Sequence, residues 1–236
     1  MKRVIFFLIA AIFSFSLSTD AQINDPNAQV RDAKGFHGIN VSSAFDVYLS
    51  QSNDEAVAVS AASTKDRDMI TVEIKDGILY VGLHKNTKWN NGNKKLRAYI
   101  SFKQIDKLTV SGACDVLVTG IIKADILTVK QSGASDFKGK LNVEKLYIDL
   151  SGASDMSVTG TATRLFVEAS GASDFKGYDL ITETCEAKAS GASDIKITVN
   201  KELSAEASGA SDVKYKGNGT IRDIKSSGSG SVSRGR

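Results

Sequence analysis

Proline is nearly absent from this chain: Pro26 stands alone against 20 glycines in 236 residues. With an ordinary charge balance, that excludes collagen, a coiled coil and a Pro-rich disordered segment. Histidine and cysteine are also scarce, with two of each, so few groups remain for transition-metal or nucleophilic chemistry. A formal net charge of +3 supplies no concentrated basic face, and nucleic-acid phosphates need one. Past the first 17 residues no apolar run approaches the roughly 20 residues that cross a bilayer. What the chain does have is 42% apolar residues, ample for the core of one elongated domain or two small ones.

The first residues read as an export signal. Met1-Lys2-Arg3 is a short basic region, Val4 to Leu17 is an apolar run broken only by Ser14 and Ser16, and Thr19-Asp20-Ala21 offers a small-x-small cleavage site,. The expectation is a signal peptide over 1–21, a mature chain beginning at Gln22 and an exported protein without a membrane-spanning segment. Its location would then be the periplasm, the outer membrane or the cell exterior. No cysteine follows the apolar run to receive a lipid.

An internal repeat sets the organisation. Ser-Gly-Ala-Ser-Asp, or a near copy, ends at Asp115, Asp136, Asp155, Asp174, Asp194 and Asp212, at intervals of 21, 19, 19, 20 and 18 residues. A decayed copy, Ser227-Gly228-Ser229-Gly230-Ser231, follows 19 residues later. The residue after each Asp is apolar (Val116, Phe137, Met156, Phe175, Ile195, Val213), and Lys138, Lys176, Lys196 and Lys214 follow in four of the six copies. Asp, apolar, Lys is a period of two, which puts Asp and Lys on one strand face and the residue between them inward. Nine positions before Asp stand Leu127, Leu146, Leu165, Cys185 and Leu203; seven before stand Val129, Ile148, Val167, Ala187 and Ala205. They mark a second inward-facing strand.

Two short strands and two turns cannot bury their apolar faces alone, but stacked copies can, each column landing about 4.8 Å from its equivalent. The repeat therefore predicts an all-β protein: a parallel β-helix or β-solenoid, right-handed by the rule for parallel connections, of two sheets and about 19 residues per coil. One outward column tests this register. Six positions before Asp stand Lys130, Asp149, Glu168, Lys188 and Glu206, with Lys225 in the decayed copy, and four of the five neighbouring pairs have opposite sign.

The array is taken as 105–233. Before it, 22–35 reads as a flexible polar lead, and 36–104 as a less regular β region that caps the solenoid. Within that region Asp76-Gly77 is a hairpin signal, and 87–95, rich in Asn, is a polar loop. A cap is needed because an open solenoid end presents unpaired strand edges.

Gly38-Ile39-Asn40, between Phe36 and the amphipathic Phe45-Asp46-Val47-Tyr48-Leu49-Ser50-Gln51, combines with the downstream Ser-Gly-Ala-Ser-Asp array. Together these resemble the putative auto-transporter adhesin, head GIN domain family of exported, largely Bacteroidetes proteins, over roughly residues 36–233. The resemblance implies a two-sheet β-helix with tight Gly-centred turns and an adhesion role named by structural analogy. It brings no catalytic or binding residues to carry over. Cys114, where other copies have Ser, and the terminal copy without its Asp depart from the pattern.

The candidate site is the Asp column itself: Asp115, Asp136, Asp155, Asp174, Asp194 and Asp212. Carboxylates 4.8 Å apart repel by roughly 0.9 kcal/mol per pair in water. Either the lysines two residues on neutralise the column, as a structural turn ladder, or Ca²⁺ bridges it, as in nonapeptide β-rolls. The turn ladder is preferred, because the repeat lacks the roll's nine-residue period, and no cofactor or catalytic residue is assigned. A polysaccharide-cleaving β-helix enzyme is the alternative from another class. The short, uniform coils leave no room for the projecting loops that build its cleft, and His37 and His84 lie outside the array.

Binding without turnover fits better, to a glycan or to an envelope or cell-surface protein, with Trp89 and Tyr99 as exposed aromatic candidates. A poorly finished Gly/Ser-rich last coil points to self-association through the solenoid ends. Cys185, in the Leu column, is expected to be buried. Cys114, three to four coils away in a turn, is too distant for a disulfide and is expected to be the more reactive thiol.

Overall fold

The structure, a computed structural model, describes residues 25–84 and 95–235; the predicted signal peptide, most of the 87–95 loop and Trp89 lie outside the described residues. The N-terminal elements are β1 (Gln29–Arg31), β2 (Gly38–Val41), β3 (Asp46–Gln51), β4 (Ala56–Ser60), a single helical turn α1 (Thr64–Arg67), β5 (Ile70–Lys75), β6 (Ile78–Leu83) and β7 (Arg97–Phe102). Then come β8 (Lys107–Val110) and five long strands: β9 (Asp115–Gln131), β10 (Asp136–Leu150), β11 (Asp155–Ala169), β12 (Asp174–Ala189) and β13 (Asp194–Ala207). The chain finishes with β14 (Asp212–Lys216), β15 (Thr220–Ser226) and β16 (Ser231–Arg234). All sixteen strands join one sheet, wound as a parallel β-solenoid of about seven turns with roughly 19 residues per coil.

The expected columns are files of neighbours. Leu127, Leu146, Leu165, Cys185 and Leu203 stand opposite one another from strand to strand, and none is more than 4% exposed. Val116, Phe137, Met156, Phe175, Ile195 and Val213 form the facing file. A fully buried Leu, Val or Phe side chain contributes about 1.5–3 kcal/mol, so these files are a substantial part of a core that also runs through the N-terminal strands. The outward column is in register too, from Lys130 through Asp149, Glu168, Lys188 and Glu206 to Lys225. Only Lys130 and Asp149 close an ion pair along it, at 3.0 Å; Lys188 turns instead to Glu186 on its own strand.

The expected two strands and two turns per coil are arranged in two ways: in β9 to β13 the two strands run into one another through the second bend, while in the last coil β14 and β15 stay separate. At the corner, Ser-Gly-Ala-Ser stacks on its equivalent. The N–H of Ala172 donates to Gly152 O at 2.7 Å, and that of Asp174 to Ser154 O at 3.0 Å. Gly171 shows why glycine is required: its φ is +76°, and a Cβ there would lie 2.5 Å from the Gly152 carbonyl oxygen. The fourth corner residue points inward. Ser154, Ser173, Ser193 and Ser211 are fully buried, and the Ser193 hydroxyl donates to Ser190 O at 2.9 Å and Ala169 O at 3.0 Å. At the second bend the backbone ladder between coils continues, with a shift of register, so the strand is not interrupted.

The N-terminal region is less regular, yet it contains a coil of the array. The register sets Val41 opposite Val110 and Asp46 opposite Asp115. The corner between them, Ser42-Ser43-Ala44-Phe45, receives the Ala113 N–H on Ser43 O at 2.7 Å, and Ser43 takes the left-handed φ of 96° that glycine holds elsewhere. The insertion after β3 closes this end on both walls. β6 lies parallel to β2 and carries β5 antiparallel, through the Asp76-Gly77 turn with φ of 52° and 72°. β7 lies parallel to β3 and carries β4 and then β1, both antiparallel. The segment expected as a flexible lead is thus, from Asp25, an ordered part of the cap. Its anchor is the Asp25 carboxylate, 7% exposed, which accepts from Tyr99 Oη at 2.9 Å and Arg97 Nη1 at 3.2 Å.

Candidate functional site

The Asp column is a continuous ladder: Asp46, Asp115, Asp136, Asp155, Asp174, Asp194 and Asp212, each opposite the next. It is capped by Arg97 opposite Asp46 and by Ser231 opposite Asp212. Asp46 belongs to the ladder although the sequence reading omitted it. The signal was Ser42-Ser43-Ala44-Phe45-Asp46-Val47, a worn copy of the pentapeptide that the insertion displaces from its period.

Neutralisation along the ladder is uneven, which corrects the expected Asp–Lys compensation. Lys176 Nζ sits 2.7 Å from Asp155 and 3.7 Å from Asp174, and Lys214 lies 3.2 Å from Asp212. Ser231 Oγ donates to Asp212 at 2.6 Å, and with Lys214 holds that carboxyl below its usual value. Toward the N-terminal end the residues two after Asp are Tyr48 and Leu117, and neither can neutralise. There Asp136 is pushed above the ordinary carboxyl value by desolvation and then by Asp115 and Asp155 on either side. The outcome is a groove of about 580 Å³ bordered by Asp46, Asp115, Asp136 and Asp155, with Tyr48, Leu117 and Lys138 beside them. The ladder supplies one carboxylate per coil, against the six to eight oxygens that Ca²⁺ takes. Among the described residues no group of three His, Cys, Asp or Glu is arranged to hold a metal ion.

The opposite wall carries a feature that the sequence reading passed over. Eight positions before Asp, the outward row runs Thr128, Tyr147, Phe166, Glu186 and Ser204. Tyr147 and Phe166 stack with ring centroids 4.8 Å apart and planes 7° from parallel, and Tyr147 remains 38% exposed. They border a hollow of about 440 Å³ whose rim includes Lys130, Asp149, Glu168, Glu186 and Lys188. Reading this column as the neighbouring charged one was read would have found the pair. Tyr99, the aromatic candidate that was named, is part of the cap instead. It stacks on Tyr48 at 5.1 Å, and burial together with its bond to Asp25 pushes its hydroxyl up to about 12.

The histidines and cysteines form no catalytic constellation among the described residues. His37 Nδ1 meets Asp106 at 3.1 Å on the surface, beside a groove of about 1000 Å³ with no Ser or Cys in its lining. Cys114 and Cys185 are both free and both buried. Burial thus closes off the Cys114 thiol at its corner, and the Cys185 thiol as well. Cys114 replaces the buried corner serine, accepting the Phe45 N–H at 3.5 Å and facing Ser111 O at 3.4 Å, and burial raises its thiol pKa.

The family model described as "Putative auto-transporter adhesin, head GIN domain" matches residues 35–219. The chain belongs to this family. Among solved structures, this GIN-domain protein is similar to a putative adhesin from Bacteroides fragilis, with a TM-score of 0.83 and 22% identity over 88% of this chain and 95% of that one. A putative lipid binding protein from Parabacteroides distasonis gives a TM-score of 0.69 at 18% identity, covering 90% and 98%. A putative adhesin from Parabacteroides merdae gives 0.69 at 17%, covering 89% and 95%. At these identities the likeness is one of fold. No curated protein matches the chain.

Proposed function

We propose that this GIN-domain protein is exported and works at the cell envelope as an adhesin-like solenoid that binds a glycan without turning it over. The family's adhesin description supports the role, and the basic-then-apolar start of the sequence supports export,. No helix among the described residues is long and apolar enough to cross a membrane.

The observation that carries the ligand class is the Tyr147–Phe166 pair. The two rings stack on an outer wall of mostly polar side chains, and Tyr147 stays 38% exposed, so among the described residues the pair is left partly uncovered. Aromatic faces accept the C–H side of a sugar ring, while a mixed rim such as Lys130, Asp149 and Glu168 supplies donors and acceptors for its hydroxyls. Rigid coils hold this arrangement in place, so binding needs little ordering of the site. The test is a glycan array followed by calorimetry. Tyr147→Ala and Phe166→Ala should each weaken binding at least about tenfold with thermal melting unchanged; binding untouched by both would refute the assignment. Reducing ends released from a bound polysaccharide would overturn the absence of turnover. Protease digestion of intact cells tests exposure at the surface.

A further inference from the structure

We infer that the C-terminal end of the solenoid is an interface between two copies of this chain, joined tail to tail across a two-fold axis. The two ends of the molecule are finished differently. Around β2 and β3 the N-terminal edges are covered by paired strands on both walls. At the other end β15 pairs with β13 and β16 with β14, and among the described residues no strand pairs with their outer sides. Every residue of β15 is exposed. Yet the register sets Ile221 opposite Leu203 and Ile224 opposite Ala205, the last members of the Leu127 column and of the Val129 column, where they remain 45% and 39% exposed. The core thus runs into solvent behind a seven-residue strand with unpaired backbone groups, the arrangement that invites another edge.

The chemistry of that edge favours a second copy over an unrelated strand. A two-fold axis perpendicular to the solenoid sets β15 antiparallel to its own equivalent, and each surface must then complement itself. Ile221-Arg222-Asp223-Ile224 does so. Run against itself, it sets Ile221 opposite Ile224 of the second copy and Arg222 opposite Asp223 of the second copy, twice over. The apolar files join across the axis, and the charges alternate instead of repelling. Arg222 and Asp223 already make exposed pairs within the chain, with Glu202 at 2.9 Å and Lys225 at 3.0 Å. Such pairs are weak, so both groups can take a further partner. The family match ends at residue 219, so β15 lies beyond it.

Sedimentation equilibrium of the purified protein tests the inference. A monomer–dimer equilibrium is expected. Asp223→Arg, which sets Arg against Arg, should weaken it at least about tenfold. The double exchange Arg222→Asp with Asp223→Arg restores self-complementarity and should restore the dimer. On the unaltered protein, exchange of those β15 amides that point away from β13 should slow as concentration rises. A monomer at every concentration would overturn the inference. So would a dimer indifferent to Asp223→Arg, or one that the double exchange fails to rescue while both variants melt like the parent when dilute.

Discussion

The two bends of each coil meet the same demand, reversing a strand without leaving the stack, and they meet it differently. At the Ser-Gly-Ala-Ser corner the backbone of one coil lies against that of the next. The left-handed glycine has no room for a side chain, and a buried hydroxyl satisfies carbonyls that water cannot reach. At the second bend the register slips and the fit varies from coil to coil: an added Cβ would meet nothing within 4 Å at Gly120 but would collide with the Leu141 carbonyl oxygen at Gly160. Lys138 stands opposite Leu117, but Lys140 stands opposite Ile121. Ser157 stands opposite Lys176, whereas Gly160 stands opposite Leu180. The whole variation in repeat length is taken up on that side. The corner repeats one close contact in every coil, whereas the second bend is crowded in some coils and open in others.

The sharpest challenge to this contrast is Gly171→Ala. The left-handed dihedral and the contact with Gly152 O act together, and a loss of about 2–4 kcal/mol is expected in denaturant unfolding. Ser193→Ala should cost about 1–3 kcal/mol, because it strands buried backbone groups at Ser190 and Ala169,. Gly120→Ala separates dihedral from crowding. Gly120 has the same left-handed φ, +85°, with nothing within 4 Å of an added Cβ, so only the dihedral cost of about 1–2 kcal/mol applies. Equal losses for Gly120→Ala and Gly171→Ala would show that the stacking of corners contributes nothing.

The smallest effect concerns charge on the first wall. Asp136 binds its proton more tightly in the folded protein than at the ordinary value of 3.8. Protonation therefore favours the fold, and that contribution is full below about pH 3.8 and lost as pH rises through the raised value,. Asp136→Asn should accordingly stabilise the protein at neutral pH by a few tenths of a kcal/mol, the group being exposed. Melting curves of the two proteins should converge in acid. Asp25 has the opposite sign. Burial alone would raise its pKa, but hydrogen bonds from Ser60, Tyr99, Asn27 and Arg97 outweigh it and hold the carboxyl below its ordinary value, so its contribution is present at neutral pH and lost as pH falls through that lowered value.

The repeat alone was enough to read the solenoid, its inward files and the neighbours along the outward column, because residues about nineteen apart must be stacked if their apolar faces are to leave water. The same logic placed Cys185 inside and kept it apart from Cys114. Three things lay beyond it. The coil through Ser43 and Asp46 was hidden because the insertion after β3 separates it from the array in sequence, while backbone pairing reunites them in space. The polar lead became a strand because Asp25 finds Arg97 and Tyr99 more than seventy positions away. The exposed Ile221 and Ile224 depend on the register shift within β15, which decides the side on which each residue falls. Local pattern records periodicity; the folded coil assigns each side chain its neighbours and its access to water.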